Sequence, residues 1–141
     1  MKRGFTLVEI MIVVAIIALL AAIAIPNLLR ARVTANESAA QATLRTISTA
    51  LETYGAANGG FFSPADGTTT DTYLTSQTPP YLNQAYCGQT LSGYTYGCTI
   101  NRATYSLTAR PTSCTTSGTK SFTMTTGGVI GTDATCTAAG G

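Results

Sequence analysis

Glu9 is the only ionisable side chain between Phe5 and Asn27. A carboxylate well inside a membrane helix costs roughly 2.5–3.5 kcal/mol on insertion scales, and less near the helix end. One use offsets that cost, which is pairing with a cation buried beside it. A second reactive set is Cys87, Cys98, Cys114 and Cys136, all in the last two fifths of the chain. An even count in a small polar segment behind an export-type N-terminus points to disulfides in an oxidising compartment. Structural zinc would need tighter pairs such as C-x-x-C, and there are none. Glu52, Asp66, Asp71 and Asp133 have no histidine, lysine or second carboxylate at a motif spacing. The stretch Asp66-Gly67-Thr68-Thr69-Thr70-Asp71 resembles a calcium loop only faintly, and solvated turn aspartates are the simpler reading. The chain has no histidine, phosphate loop or nucleophile elbow, so no catalysis, metal or cofactor is expected.

The elements that must hold Glu9 come first in the chain. With 141 residues there is room for one small domain plus something elongated. Every residue from Ile10 to Ile25 is apolar, and Phe5–Ile25 is interrupted only by Thr6 and Glu9. At about 1.5 Å per residue that segment reaches ~31 Å, enough to cross the hydrocarbon layer of a bilayer. Lys2 and Arg3 favour a cytoplasmic N-terminus, and the cysteines require the far side to be outside. Beyond Gly4 the basic and acidic residues balance, so nothing indicates a nucleic-acid partner.

Three readings fit this segment. It is a cleaved secretory signal with an A-x-A-like site at Ala22-Ile23-Ala24, or a plain anchor, or a segment cut between Gly4 and Phe5. Only the third rewards Glu9, because the cut creates an amine on Phe5 one helical turn away. That amine and the carboxylate pair within one chain or between staggered chains. Position alone leaves both open.

The run Gly4-Phe5-Thr6-Leu7-Val8-Glu9, with its short basic leader, apolar run and Pro26, resembles the class III signal of type IVa pilins and of related type II secretion pseudopilins. The close likeness covers residues 1 to about 35. It implies a prepilin peptidase that cuts after Gly4 and methylates the Phe5 amine. It implies that Glu9 pairs with the Phe5 amine of a neighbouring subunit during assembly. The implied partners are further copies in a homopolymer or mixed pilus, the peptidase, an inner-membrane assembly platform, and the membrane before assembly. The precursor would sit in the bacterial inner membrane and the product in an extracellular filament used for adhesion, motility or DNA uptake. The alternatives are a secretion pseudopilin and a membrane-anchored extracellular binding module.

The expected fold class is α+β, a long N-terminal helix packed on a small antiparallel sheet. The expected segments are a leader (1–4), an apolar membrane or filament-core helix (5–26), an amphipathic helix (27–59) and a Thr-rich disulfide-stapled β-domain (60–141). Val33, Ala40, Leu44, Ile47, Leu51 and Tyr54 recur on one helical face, and Gly59-Gly60 gives a stop. A helix from about Phe5 to Asn58 would be ~80 Å long. Pro26 inside it cannot donate to the Ala22 carbonyl, so a kink or local melting is expected there. The sequon Asn36-Glu37-Ser38 lies mid-helix and reads as chance.

From Phe61 on, threonine makes up 21 of 81 residues and only six are charged. Asp66-Gly67-Thr68 and Thr78-Pro79-Pro80 read as turns. Alternation places Tyr94, Tyr96, Cys98 and Ile100 on one face, followed by Ala103, Tyr105, Leu107 and Ala109, and then by Phe122 and Met124. Three or four antiparallel strands are expected. So small a core needs staples. Of three connectivities, Cys87–Cys98 with Cys114–Cys136 closes the shorter loops. By the pilin resemblance, Cys114–Cys136 would bound a surface loop.

Overall fold

The computed structural model describes residues 4–64 and 70–139. The chain forms two compact units, Met1–Arg32 and Val33–Gly141. Helix α1 spans Leu7–Ala57 and contains Pro26, with helical residues on both sides, so the expected melting does not interrupt it. Its end follows from two glycines. Gly59 takes φ +71°, which an L side chain resists, and the Gly60 N–H reaches back to the Gly55 carbonyl at 2.7 Å. That geometry satisfies carbonyls the last turn would otherwise orphan.

In the first unit the large apolar side chains of the described residues are exposed. Phe5, Leu7, Ile10, Val14, Ile17 and Leu20 are among them. In the second unit all six predicted face residues, Val33, Ala40, Leu44, Ile47, Leu51 and Tyr54, are buried. Each fully buried Leu or Ile contributes roughly 1.5–3 kcal/mol relative to exposure.

That helical face lies on a five-stranded antiparallel meander: β1 (Thr90–Leu91), β2 (Tyr94–Ile100), β3 (Tyr105–Pro111), β4 (Ser121–Thr125) and β5 (Val129–Asp133). The sequence suggested three or four strands. The addition is the two-residue β1, joined to β2 through Ser92-Gly93, where φ is +50° and +75°. Paired positive φ values match the right-handed twist of a tight hairpin. Tyr94, Tyr96 and Ile100 face the core, as do Tyr105, Leu107, Ala109, Phe122 and Met124. Ala103, expected to lead β3, sits instead in a turn closed by the Asn101 N–H and the Thr104 carbonyl.

The connection from α1 to the sheet carries a short helix, α2 (Thr72–Thr75), which the sequence reading missed. It delivers Tyr73 and Leu74 to the core, with the Tyr73 ring edge-on to Tyr54 at 5.0 Å. The Tyr73 hydroxyl donates to the Phe62 carbonyl. Thr78–Pro79 is a cis peptide in the predicted loop. The turn at Asp66-Gly67-Thr68 lies outside the described residues.

Candidate functional site

The start of α1 explains how Glu9 is housed in the intact chain. Thr6 is the residue before the first helical position, and Glu9 is the third residue inside. The Thr6 N–H and the Thr6 hydroxyl both donate to Glu9 Oε2 at 2.8 Å, and the Glu9 N–H donates to Thr6 Oγ1 at 3.3 Å. This is a capping box, in which two orphan N–H groups of the first turn are satisfied reciprocally. Sequence reasoning passed over Thr6, although the pattern T-x-x-E before an apolar run is a known signal for it. Among the described residues the hydrogen bonds to the Glu9 carboxylate all fall on Oε2. A negative side chain at this end of a helix also suits the axial dipole.

Gly4 leaves open space where a side chain would stand, and Phe5 is 85% exposed. An apolar groove runs along this first stretch, lined by Phe5, Leu7, Ile10, Met11, Val14 and Ala18. Helix α1 is long and apolar enough near the N-terminus to cross a membrane.

In the second unit the cysteines form Cys87–Cys98 and Cys114–Cys136, with Cα atoms 5.5 Å and 5.9 Å apart. Among the described residues there, the carboxylates are held by N–H or O–H donors. Glu37 Oε1 accepts from the Thr119 N–H at 2.9 Å and its hydroxyl at 2.7 Å. Its neighbour Asn36 donates from Nδ2 to the Ser117 carbonyl at 3.0 Å, which ties the sequon asparagine to the same loop. Glu52 Oε1 accepts from the Gly127 N–H at 2.9 Å and from the Tyr105 hydroxyl at 2.7 Å. Because Tyr105 spends its proton on Glu52, Ser48 must donate to Tyr105 across their 2.7 Å contact. Helix α1 therefore grips the segment closed by Cys114–Cys136 at two points, Thr119 ahead of β4 and Gly127 in the β4–β5 turn. That segment carries two strands of the sheet, β4 and β5, where the resemblance implied a surface loop.

Of the two aspartates read as solvated turn residues, Asp66 lies outside the described residues and Asp71 can be placed. Asp133 is exposed and accepts from Thr135, whose N–H and hydroxyl lower its pKa. Asp71 is fully buried and is a correction to the sequence reading. Its oxygens accept from the Tyr86 N–H at 2.6 Å and the Cys87 N–H at 3.3 Å. Both therefore face donors, which argues against the faint calcium reading. Among the described residues, no cluster of His, Cys, Asp or Glu is placed to hold a metal ion.

Tyr94 seals the Cys114–Cys136 loop. Its hydroxyl donates to the Lys120 carbonyl at 2.8 Å and lies where a side chain on Gly118 would have to stand. Burial, aided by the charge of Glu37, pushes its pKa up to about 12. Burial first, then Glu52, raises that of Tyr105.

Residues 1–25 match the family model described as the prokaryotic N-terminal methylation motif. The chain therefore carries a prepilin-type N-terminus. The chain is 50% identical over 53 residues to the type IV major pilin protein PilA of Myxococcus xanthus, covering 38% of this chain and 24% of that protein. It is 48% identical over 61 residues to PilA4 of Thermus thermophilus, a type IV wide pilus major component, covering 43% of this chain and 47% of that protein. The matches thus span about a quarter and about half of those relatives' own length. No solved structure matches the chain significantly.

Proposed function

We propose that this chain is a structural subunit of a type IV pilus, polymerised through its N-terminal helix after leader removal between Gly4 and Phe5. The observation that carries the reading is a helix whose large apolar side chains from Leu7 to Leu29 are exposed among the described residues, joined to a methylation motif. Such a surface needs lipid before assembly and other copies afterwards. The relatives named above are pilins, which supports the same assignment.

Leader removal turns the Phe5 amide into an ammonium. Glu9 Oε2 stays with Thr6, and Oε1 accepts that cation from a neighbouring copy. Between chains the contact sets a stagger; within one chain it would set none. Pro26, which leaves the Ala22 carbonyl without its usual N–H partner, is where α1 would yield on assembly. The filament then displays the cystine-braced sheet outward.

N-terminal sequencing and intact mass of the exported protein test this reading. A methylated Phe5 start is the expected result. A start at Ile25, or an intact leader on a surface filament, would overturn it.

A further inference from the structure

Asp71 is the only carboxylate among the described residues that is fully buried, at 0% exposure. Burying it without a cation is costly unless hydrogen bonds replace the lost water. The replacements here are backbone N–H groups, and one belongs to a cysteine, Cys87. That coincidence bears on how the cystines are chosen.

Four cysteines allow three pairings. Cys98 lies 11 residues from Cys87, whereas positions 98 and 114 differ by 16. Loop closure scales with about the 3/2 power of length, so chain statistics favour the shorter loop by only about a factor of two. Local structure must decide. Beyond Thr90 opposite Thr95 the β1–β2 register is broken by a bulge: the Tyr96 N–H donates to the Gln89 carbonyl and the Tyr96 carbonyl accepts from the Gly88 N–H, so Gly88 and Gln89 both oppose Tyr96. The Gln89 N–H turns back to the Tyr86 carbonyl, and this turn carries Cys87 to Cys98, with the Cα atoms 5.5 Å apart. Yet β1 has two residues, and so short a two-stranded ribbon is marginal in water. Asp71 closes it from the other side.

We propose that Asp71 is a positioning residue for oxidative folding, holding the Tyr86–Cys87 backbone against β2 while the thiols are still reduced, and so selecting Cys87–Cys98 over Cys98–Cys114. In the reaction the two thiols lose two protons and two electrons. A small-molecule disulfide such as oxidised glutathione accepts them through a mixed disulfide and leaves as two thiols.

The test refolds the full reduced chain in detergent with a glutathione redox buffer, followed by alkylation and mass mapping of the linked peptides. Asp71→Asn and Asp71→Ala are expected to lower the ratio of native to non-native pairing about tenfold, as loss of a charge-assisted hydrogen bond implies. Leu74→Ala removes a fully buried side chain from the same segment but leaves the carboxylate in place, so it should lower stability while keeping the native ratio. Because the ratio is read from peptides, aggregated material reports it as well as folded protein. Wild-type pairing in both Asp71 variants, or equal scrambling in Leu74→Ala, would overturn the assignment.

Discussion

Ile16 and Ile47 are the same side chain on the same helix, yet the first is 53% exposed and the second 0%. Around Ile16 every helical face is apolar, so no direction distinguishes an inside from an outside. Around Ile47 the apolar residues form a stripe, with Arg45, Thr46 and Thr49 exposed beside it. The comparison separates two ways for a helix to be stable. Residues 33–54 bury their stripe within their own chain, whereas the large apolar side chains of residues 7–29 are exposed. Substitutions in the two stretches should therefore have separable effects.

The largest expected effect is on assembly. Glu9→Ala should reduce filament yield at least tenfold by electron microscopy, while the unfolding midpoint of the β-domain shifts by no more than about 0.5 kcal/mol. Normal yield would remove the role given to this residue. Leu107→Ala should do the converse, costing about 2–5 kcal/mol in denaturant unfolding and leaving leader processing intact. Replacing Cys114 and Cys136 together with serine opens a 22-residue loop and should cost about 3 kcal/mol. Glu37→Ala should cost about 1–2 kcal/mol and speed amide exchange at Thr119, which loses its acceptor.

The smallest effect concerns pH. Tyr94 holds its proton to about pH 12 when folded and to about pH 10 when unfolded. Its contribution is therefore fully present below pH 10 and is lost as pH rises toward 12. An alkaline unfolding series should show that decline, and Tyr94→Phe should flatten it.

Much of this architecture is legible in the residues. The helical stripe was readable because period 3.6 survives in Val33, Ala40, Leu44, Ile47, Leu51 and Tyr54. The strands were readable because aromatic and aliphatic residues alternate with threonine in β2 and β3. What escaped was set by partners distant in sequence. Nothing near Asp71 announces burial, since its donors lie 15 and 16 residues on. Asn36, Glu37 and Glu52 lie off the apolar helical face, and their partners Ser117, Thr119 and Gly127 approach only once the sheet has formed. Strand β1 was too short to show a period. Thr6 was different. Its signal was local and present, but the carboxylate three residues later drew attention to what it would bind rather than to what already holds it.

One consequence follows from the way Glu37, Glu52, Asp71 and Asp133 are engaged. Among the described residues each leans on an amide or hydroxyl hydrogen. Dissolved ions weaken attraction between separated opposite charges far more than a hydrogen bond made at contact. The β-domain should accordingly melt at nearly the same temperature in fresh water and in brine.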